Sequence, residues 1–206
     1  MDKEQDRLRQ LAQLASTALH PYVVFSLVIA LVSYEGSSSI LVWAKWTAVA
    51  LLSAYVLPMS YMQTRMAIAA RTSGAQISLR SFFREKPNEM LSLACLFGIP
   101  SALVLHLLHA PLNITATVIV VSITSVLIAL VNRVYRASFH LALFTSMTVP
   151  LVFIFGLPSL VLVPFFLLLG FSRYILGEHT PKQLVTGFFI GLLVSFGTFG
   201  LFGLLS

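Results

Sequence analysis

Apolar residues run along this chain in long blocks, and polar residues collect in the short gaps between them. Neither the strict alternation of a half-buried strand nor the single stripe of a water-soluble amphipathic helix dominates. Seven blocks, residues 16–34, 40–62, 90–109, 113–131, 138–155, 157–174 and 181–205, are each close to the roughly 20 residues that a helix needs to cross a bilayer. They are too long and too continuously apolar for barrel strands, whose faces alternate. The pattern predicts an all-α fold, a polytopic membrane helix bundle of six to seven transmembrane helices. The range reflects residues 138–174, where Gly156, Pro158 and Pro164 interrupt one long apolar stretch. Only the connection 63–89 is long, so most consecutive helices should be antiparallel neighbours. At the start of the chain, Leu8, Leu11 and Leu14 recur at helical spacing among charges, which predicts an amphipathic surface segment over residues 1–15. Residues 1–206 then form a single membrane domain.

Composition sharpens this picture. Of the 206 residues, 58% are hydrophobic and 10% charged, against about 25% charged in a soluble domain. Mean hydropathy is +0.92. The net charge of +6 might suggest nucleic acid, but the bases sit in the gaps between apolar blocks, and no nucleic-acid or nucleotide-loop motif is present. Lys3, Arg7, Arg9, Arg65, Arg71, Arg80, Arg84, Lys86, Arg133, Arg136, Arg173 and Lys182 all fall on one side of the alternating topology, whereas the other side carries Glu35 and Lys45. The positive-inside rule makes the first side cytoplasmic. Arg65, Arg71 and Arg133 read as topology signals. The single cysteine, Cys95, excludes an intramolecular disulfide and a cysteine-based zinc site.

Three segments on that basic side carry candidate chemistry. They are residues 80–89, with Arg80, Arg84, Glu85, Lys86, Asn88 and Glu89; residues 133–140, with Arg133, Arg136, Ser138 and His140; and residues 172–183, with Ser172, Arg173, Glu178, His179, Thr180 and Gln183. Each sets a base and a capping residue (Asn88, Ser138, Thr180) just before a helix begins. Helix N-termini offer free N–H groups and partial positive charge, which suits phosphate. Two histidines add proton-transfer and nucleophilic capacity. Gln183 also has a purely structural reading, as the residue that closes a capping box on Thr180. His106 and His109 belong to the opposite surface and read as interfacial. His20, beside Pro21, receives no role. Gly187 and Gly191, four apart, suggest close helix packing.

The second and third segments resemble the signature motifs of the type 2 phosphatidic acid phosphatase superfamily, integral-membrane lipid phosphatases and their haloperoxidase relatives. That family's last motif is Ser-Arg, five residues, His, three residues, Asp; this chain has Ser172-Arg173, five residues, His179, three residues, Gln183. Its middle motif ends Ser-Gly-His, and this chain has Ser138-Phe139-His140 preceded by Arg136. Lys86-Pro87 stands where the first motif has Arg-Pro, with Arg80 one residue closer than the family's upstream base. The form is similar to a branch of dolichyl-diphosphatase-like and other isoprenoid-lipid phosphatases, and it covers a phosphatase-like core of about residues 80–191. The resemblance implies hydrolysis of a lipid phosphate or diphosphate, isoprenoid by preference, with neither metal nor cofactor. His179 would attack phosphorus and His140 would serve as acid and then base. Arg136, Arg173 and Lys86, with Arg84 as substitute, would hold the phosphoryl oxygens, and Ser138 would donate to them. Gln183 stands where the family has Asp; an amide orients an imidazole but adds no charge. Glu85 or Glu89, and after them Glu178, are the acids available to compensate. The alternative is a relative that binds or moves anionic lipids without hydrolysis.

Overall fold

The computed structural model describes residues 3–73 and 87–205. Among these residues every element is helical: α1 (Lys3–Ala18), α2 (Pro21–Glu35), α3 (Ile40–Leu51), a π-helical turn (Leu52–Val56), α4 (Leu57–Ser73), α5 (Pro87–Leu93), a second π turn (Ala94–Gly98), α6 (Ile99–Leu107), α7 (Leu112–Val131), α8 (Phe139–Phe155), a 3₁₀ turn (Leu157–Leu162), α9 (Val163–Ile175) and α10 (Pro181–Leu201). The chain is thus an all-α, polytopic helix bundle. A bilayer interior has no water to satisfy backbone groups, so runs this apolar must close their hydrogen bonds within each segment.

Among the described residues, five helices are long and apolar enough to cross a membrane: Ile40–Thr72, Asn88–Leu107, Leu112–Val131, Leu157–Ile175 and Pro181–Leu201. The pair formed by α1 and α2 makes a sixth if it is one span bent by 41°. The remaining apolar helix is α8. It ends where Gly156 turns the chain at φ +67, in the left-handed region that suits glycine. The Ser159 hydroxyl then donates to the Leu151 carbonyl at 2.7 Å, locking α8 to the 3₁₀ turn. The interrupted stretch therefore folds as α8 followed by a second apolar span, Leu157–Ile175, made of the 3₁₀ turn and α9.

Helix α4 runs to Ser73, past the expected end at residue 62. Those extra turns project about 16 Å at 1.5 Å per residue, so part of the expected 63–89 connection is a continued helix. In α1, Leu8, Leu11 and Leu14 are exposed, while Ala12 and Ser16 are buried where α1 packs on α9. The leucine face is turned away from the protein, towards the medium that an amphipathic segment would meet.

The main core gathers Val28, Ile29 and Val32 of α2, Leu105 of α6, Ile114 and Val118 of α7, and Phe144 and Met147 of α8. Leu103, Leu127, Leu167 and Leu193 point outward, as lipid-facing residues do. Without a hydrophobic drive between helices in lipid, close packing of small residues must hold the bundle. That packing is tightest between α8 and α10. A Cβ on Gly187 would stand 2.4 Å from the Ser138 carbonyl oxygen, and one on Gly191 2.3 Å from that of Ala142.

Alanine at Gly191 must therefore push α10 off α8. We expect Gly191→Ala to destabilise the bundle by about 1–3 kcal/mol, the usual range for overpacking. Gly197→Ala is the control: its Cβ meets nothing within 4 Å, and alanine favours the helix by up to about 1 kcal/mol. Thermal unfolding in detergent should show a lower midpoint for the first and an unchanged or higher one for the second.

Candidate active site

The α8–α10 contact brings two helix starts together. Ser138 caps α8: its Oγ accepts the Leu141 N–H at 3.4 Å, and the residue is fully buried. Its own N–H donates to the Gln183 carbonyl at 3.0 Å. Segments 133–140 and 172–183 are thus joined backbone to backbone, with His140 in the first turn of α8 and His179 just before α10.

Thr180 caps α10, and its Oγ1 accepts the Gln183 N–H at 3.4 Å. In return, Gln183 Oε1 accepts the Thr180 N–H at 3.1 Å, completing the capping box. The same Oε1 lies 3.3 Å from His179 Nδ1. An amide oxygen only accepts, so a hydrogen bond here needs a proton on Nδ1, and in the neutral ring Nε2 then keeps its lone pair. The structural and orienting readings of Gln183 coexist in one oxygen. With its tautomer set in this way, His179 presents Nε2 as a possible nucleophile.

Arg173, in the last turn of α9, is largely buried. Its Nη1 donates to Ser16 Oγ of α1 at 3.0 Å, and its Nη2 forms an ion pair with Glu178. The chain turns through Gly177 at φ +67, and the Glu178 N–H donates to the Arg173 carbonyl at 3.1 Å, so Glu178 folds back over the arginine. The acid next to His179 is thus committed at least in part to Arg173.

His20 is the addition that the sequence did not suggest. It sits in the break between α1 and α2, where Nδ1 accepts the Tyr22 N–H at 3.4 Å. Its ring meets that of His140 edge to face, with centroids 5.4 Å apart. A histidine beside proline signals only a helix start. The relevant signal is that a third His lies on the same basic side as His140 and His179.

The remaining candidates divide. Arg136 is exposed on the turn before α8. Glu89 pairs with Arg65 of α4 at 2.5 Å. Arg133 Nη2 donates to Asn88 Oδ1 at 2.7 Å. Arg65 and Arg133, read as topology signals, therefore also hold the start of α5 in place. Arg84, Glu85 and Lys86, with Arg80, lie outside the described residues. Among the described residues no group of three or more His, Cys, Asp or Glu side chains is placed to hold a metal ion.

No family model matches the chain, no curated protein matches it, and no solved structure matches it.

The Gln183 geometry carries its own test. Nitrogen NMR of ring-labelled protein should find His179 mainly as the Nδ1–H tautomer. Gln183→Ala should release it to a mixture and cost about 0.5–2 kcal/mol of stability through loss of the capping box. An unchanged tautomer in that variant would show that another group orients the ring.

Proposed function

We propose that this protein is an integral-membrane phosphatase for a lipid phosphate or diphosphate, with an isoprenoid (di)phosphate as the preferred class. The observation that carries the reading is the double use of Gln183. Its backbone carbonyl takes the N–H of Ser138, two residues before His140, and its side chain holds Nδ1 of His179. One residue thereby couples the proposed nucleophile to the segment that bears the proposed acid.

In the first step His179 Nε2 attacks phosphorus, and a P–N bond forms as the P–O bond to the leaving group breaks. His140, protonated, gives its proton to the departing oxygen, so the lipid leaves as an alcohol or, from a diphosphate, as a monophosphate. In the second step neutral His140 takes a proton from water. The water oxygen attacks phosphorus, the P–N bond breaks, and inorganic phosphate is released. Arg173, Arg136 and the basic residues Arg84 and Lys86 supply charge for the phosphoryl oxygens. The Ser138 hydroxyl accepts in its cap and still has a proton to donate. The cofactor requirement of this scheme is nil.

A second reading draws on the Arg173–Glu178 pair and the neutral Gln183: a relative that binds or moves anionic lipids without cleaving them. Phosphate release from a panel of prenyl phosphates, prenyl diphosphates and phosphatidate in detergent separates the two. The phosphatase reading expects turnover that His179→Ala abolishes and His140→Ala lowers by roughly 10²–10⁴-fold. Acid-labile labelling of His179 should appear during turnover. Lipid binding with no release from any substrate would establish the second reading.

From the charge bias of the sequence we expect this site on the cytoplasmic face. The exposed Cys95 is first replaced by serine, and single cysteines are then introduced at Thr180 and Ala110. A membrane-impermeant maleimide added to intact cells should label the Ala110→Cys protein and spare Thr180→Cys. The reverse pattern would put the site on the outer face.

A further inference from the structure

The break between α1 and α2 reaches the site at two points. Ser16, near the end of α1, meets Arg173 of α9, and His20, the residue before Pro21, meets His140 of α8. Of the two contacts, the second touches the group proposed to move protons.

His20 is rigidly mounted. A residue before proline is held to extended backbone, and His20 has φ −61 and ψ 137. Its N–H donates to the Thr17 carbonyl at 3.2 Å, and its carbonyl accepts the Val23 and Val24 N–H groups at 2.9 and 3.1 Å. The side chain is tied as well, since Nδ1 takes the Tyr22 N–H. An accepting Nδ1 bears no proton, so the ring is neutral in this arrangement, with its proton on Nε2.

The ring also belongs to a column. Centroid to centroid, Tyr55 lies 5.3 Å from Tyr22, Tyr22 lies 4.9 Å from His20, and His20 lies 5.4 Å from His140. The last two rings stand at 89°, in the edge-to-face arrangement that aromatic pairs prefer. Tyr55 comes from the first π turn, a kind of turn that recurs at functional sites. The His140 imidazole thus rests on a ring that is fixed at its backbone, fixed at Nδ1 and backed by two tyrosines.

Capping alone does not account for a histidine at this position. N-caps favour Ser, Thr, Asp and Asn, and Ser39, Ser138 and Thr180 do this work at α3, α8 and α10. What those side chains lack is a ring that reaches His140. A neutral ring is also the compatible neighbour, because His140 as proton donor is a cation and a second cation at this distance would repel it.

We propose that His20 is a positioning residue of the site: its ring, tied at Nδ1 and backed by Tyr22 and Tyr55, holds the His140 imidazole at the angle from which it passes a proton to the leaving group and takes one from water. The proposal rests on the phosphatase reading of His140. It extends the site to the α1–α2 break, outside the phosphatase-like core of residues 80–191.

Two substitutions separate the ring from the cap. His20→Asn removes the ring and keeps an acceptor, Oδ1, for the Tyr22 N–H; His20→Phe keeps a ring and removes the acceptor. The full chain in detergent is assayed with geranylgeranyl phosphate and dioleoyl phosphatidate, and its thermal unfolding is followed alongside. His20→Asn should unfold at the wild-type midpoint, keep KM and lose roughly tenfold to a hundredfold in kcat, the range for a residue that orients another. His20→Phe should unfold at a lower midpoint and recover most of kcat. Wild-type kcat in His20→Asn would reduce His20 to a helix cap and overturn the proposal. A loss of kcat that His20→Phe fails to rescue would overturn it too, as would a rise in KM with a fall in midpoint, which marks local unfolding. A second readout needs no turnover: relaxation of carbon-labelled histidine rings should find the His140 ring more mobile in His20→Asn and restrained again in His20→Phe. That pattern without phosphate release from either lipid keeps the positioning contact and removes the phosphatase reading. Phosphate release with a His140 ring indifferent to both substitutions does the opposite.

Discussion

Helices α8 and α10 meet at backbone distance, because Gly187 lies against the Ser138 carbonyl and Gly191 against that of Ala142. In lipid there is little hydrophobic gain in bringing two helices together, so this contact relies on dispersion and on the approach that small residues permit. One turn above Gly187, the same proximity lets the Ser138 N–H reach the Gln183 carbonyl. The position of both helix starts, and of the histidines beside them, follows from the absence of two side chains. The other site elements are attached around this axis: α9 through Arg173 and Glu178, and α1 through Ser16.

Polar groups at this end of the bundle are used more than once. Gln183 closes the cap of α10, orients His179 and accepts from Ser138. His20 caps α2 and supports the His140 ring. Such sharing reflects scarcity in a chain with only 10% charged residues. It also makes the network interdependent, since a side chain that moves leaves more than one partner unsatisfied.

The helices were legible wherever a single local rule determined them. Run length alone located Leu112–Val131 and Pro181–Leu201 to within a few residues, because the cost of exposing backbone polar groups to lipid leaves no other solution. The capping box at Thr180 was legible because donor and acceptor are three residues apart. The extension of α4 to Ser73 was not, since Gln63–Ser73 leaves the apolar pattern while remaining competent to form helix. The π turns carry no periodic signal at all. Among site contacts, those of Ser16 with Arg173 and of His20 with His140 join residues far apart in sequence. They depend on how α1 lies against α9 and how α2 meets α8, which no single segment encodes. The Glu89–Arg65 pair belongs to the same class.

The Arg173–Glu178 pair bears on how firmly an anion can be held. A guanidinium with both a carboxylate and a hydroxyl partner is already neutralised at rest, which lowers the cost of keeping it largely buried. An incoming anion that takes this arginine must displace the carboxylate. The net affinity is then the difference between two pairings rather than the full strength of one. The displaced Glu178 stays tethered by its backbone bond to Arg173, at high effective concentration. An anion bound at an arginine paired in this way would be exchanged more readily than retained, held only while its other contacts last.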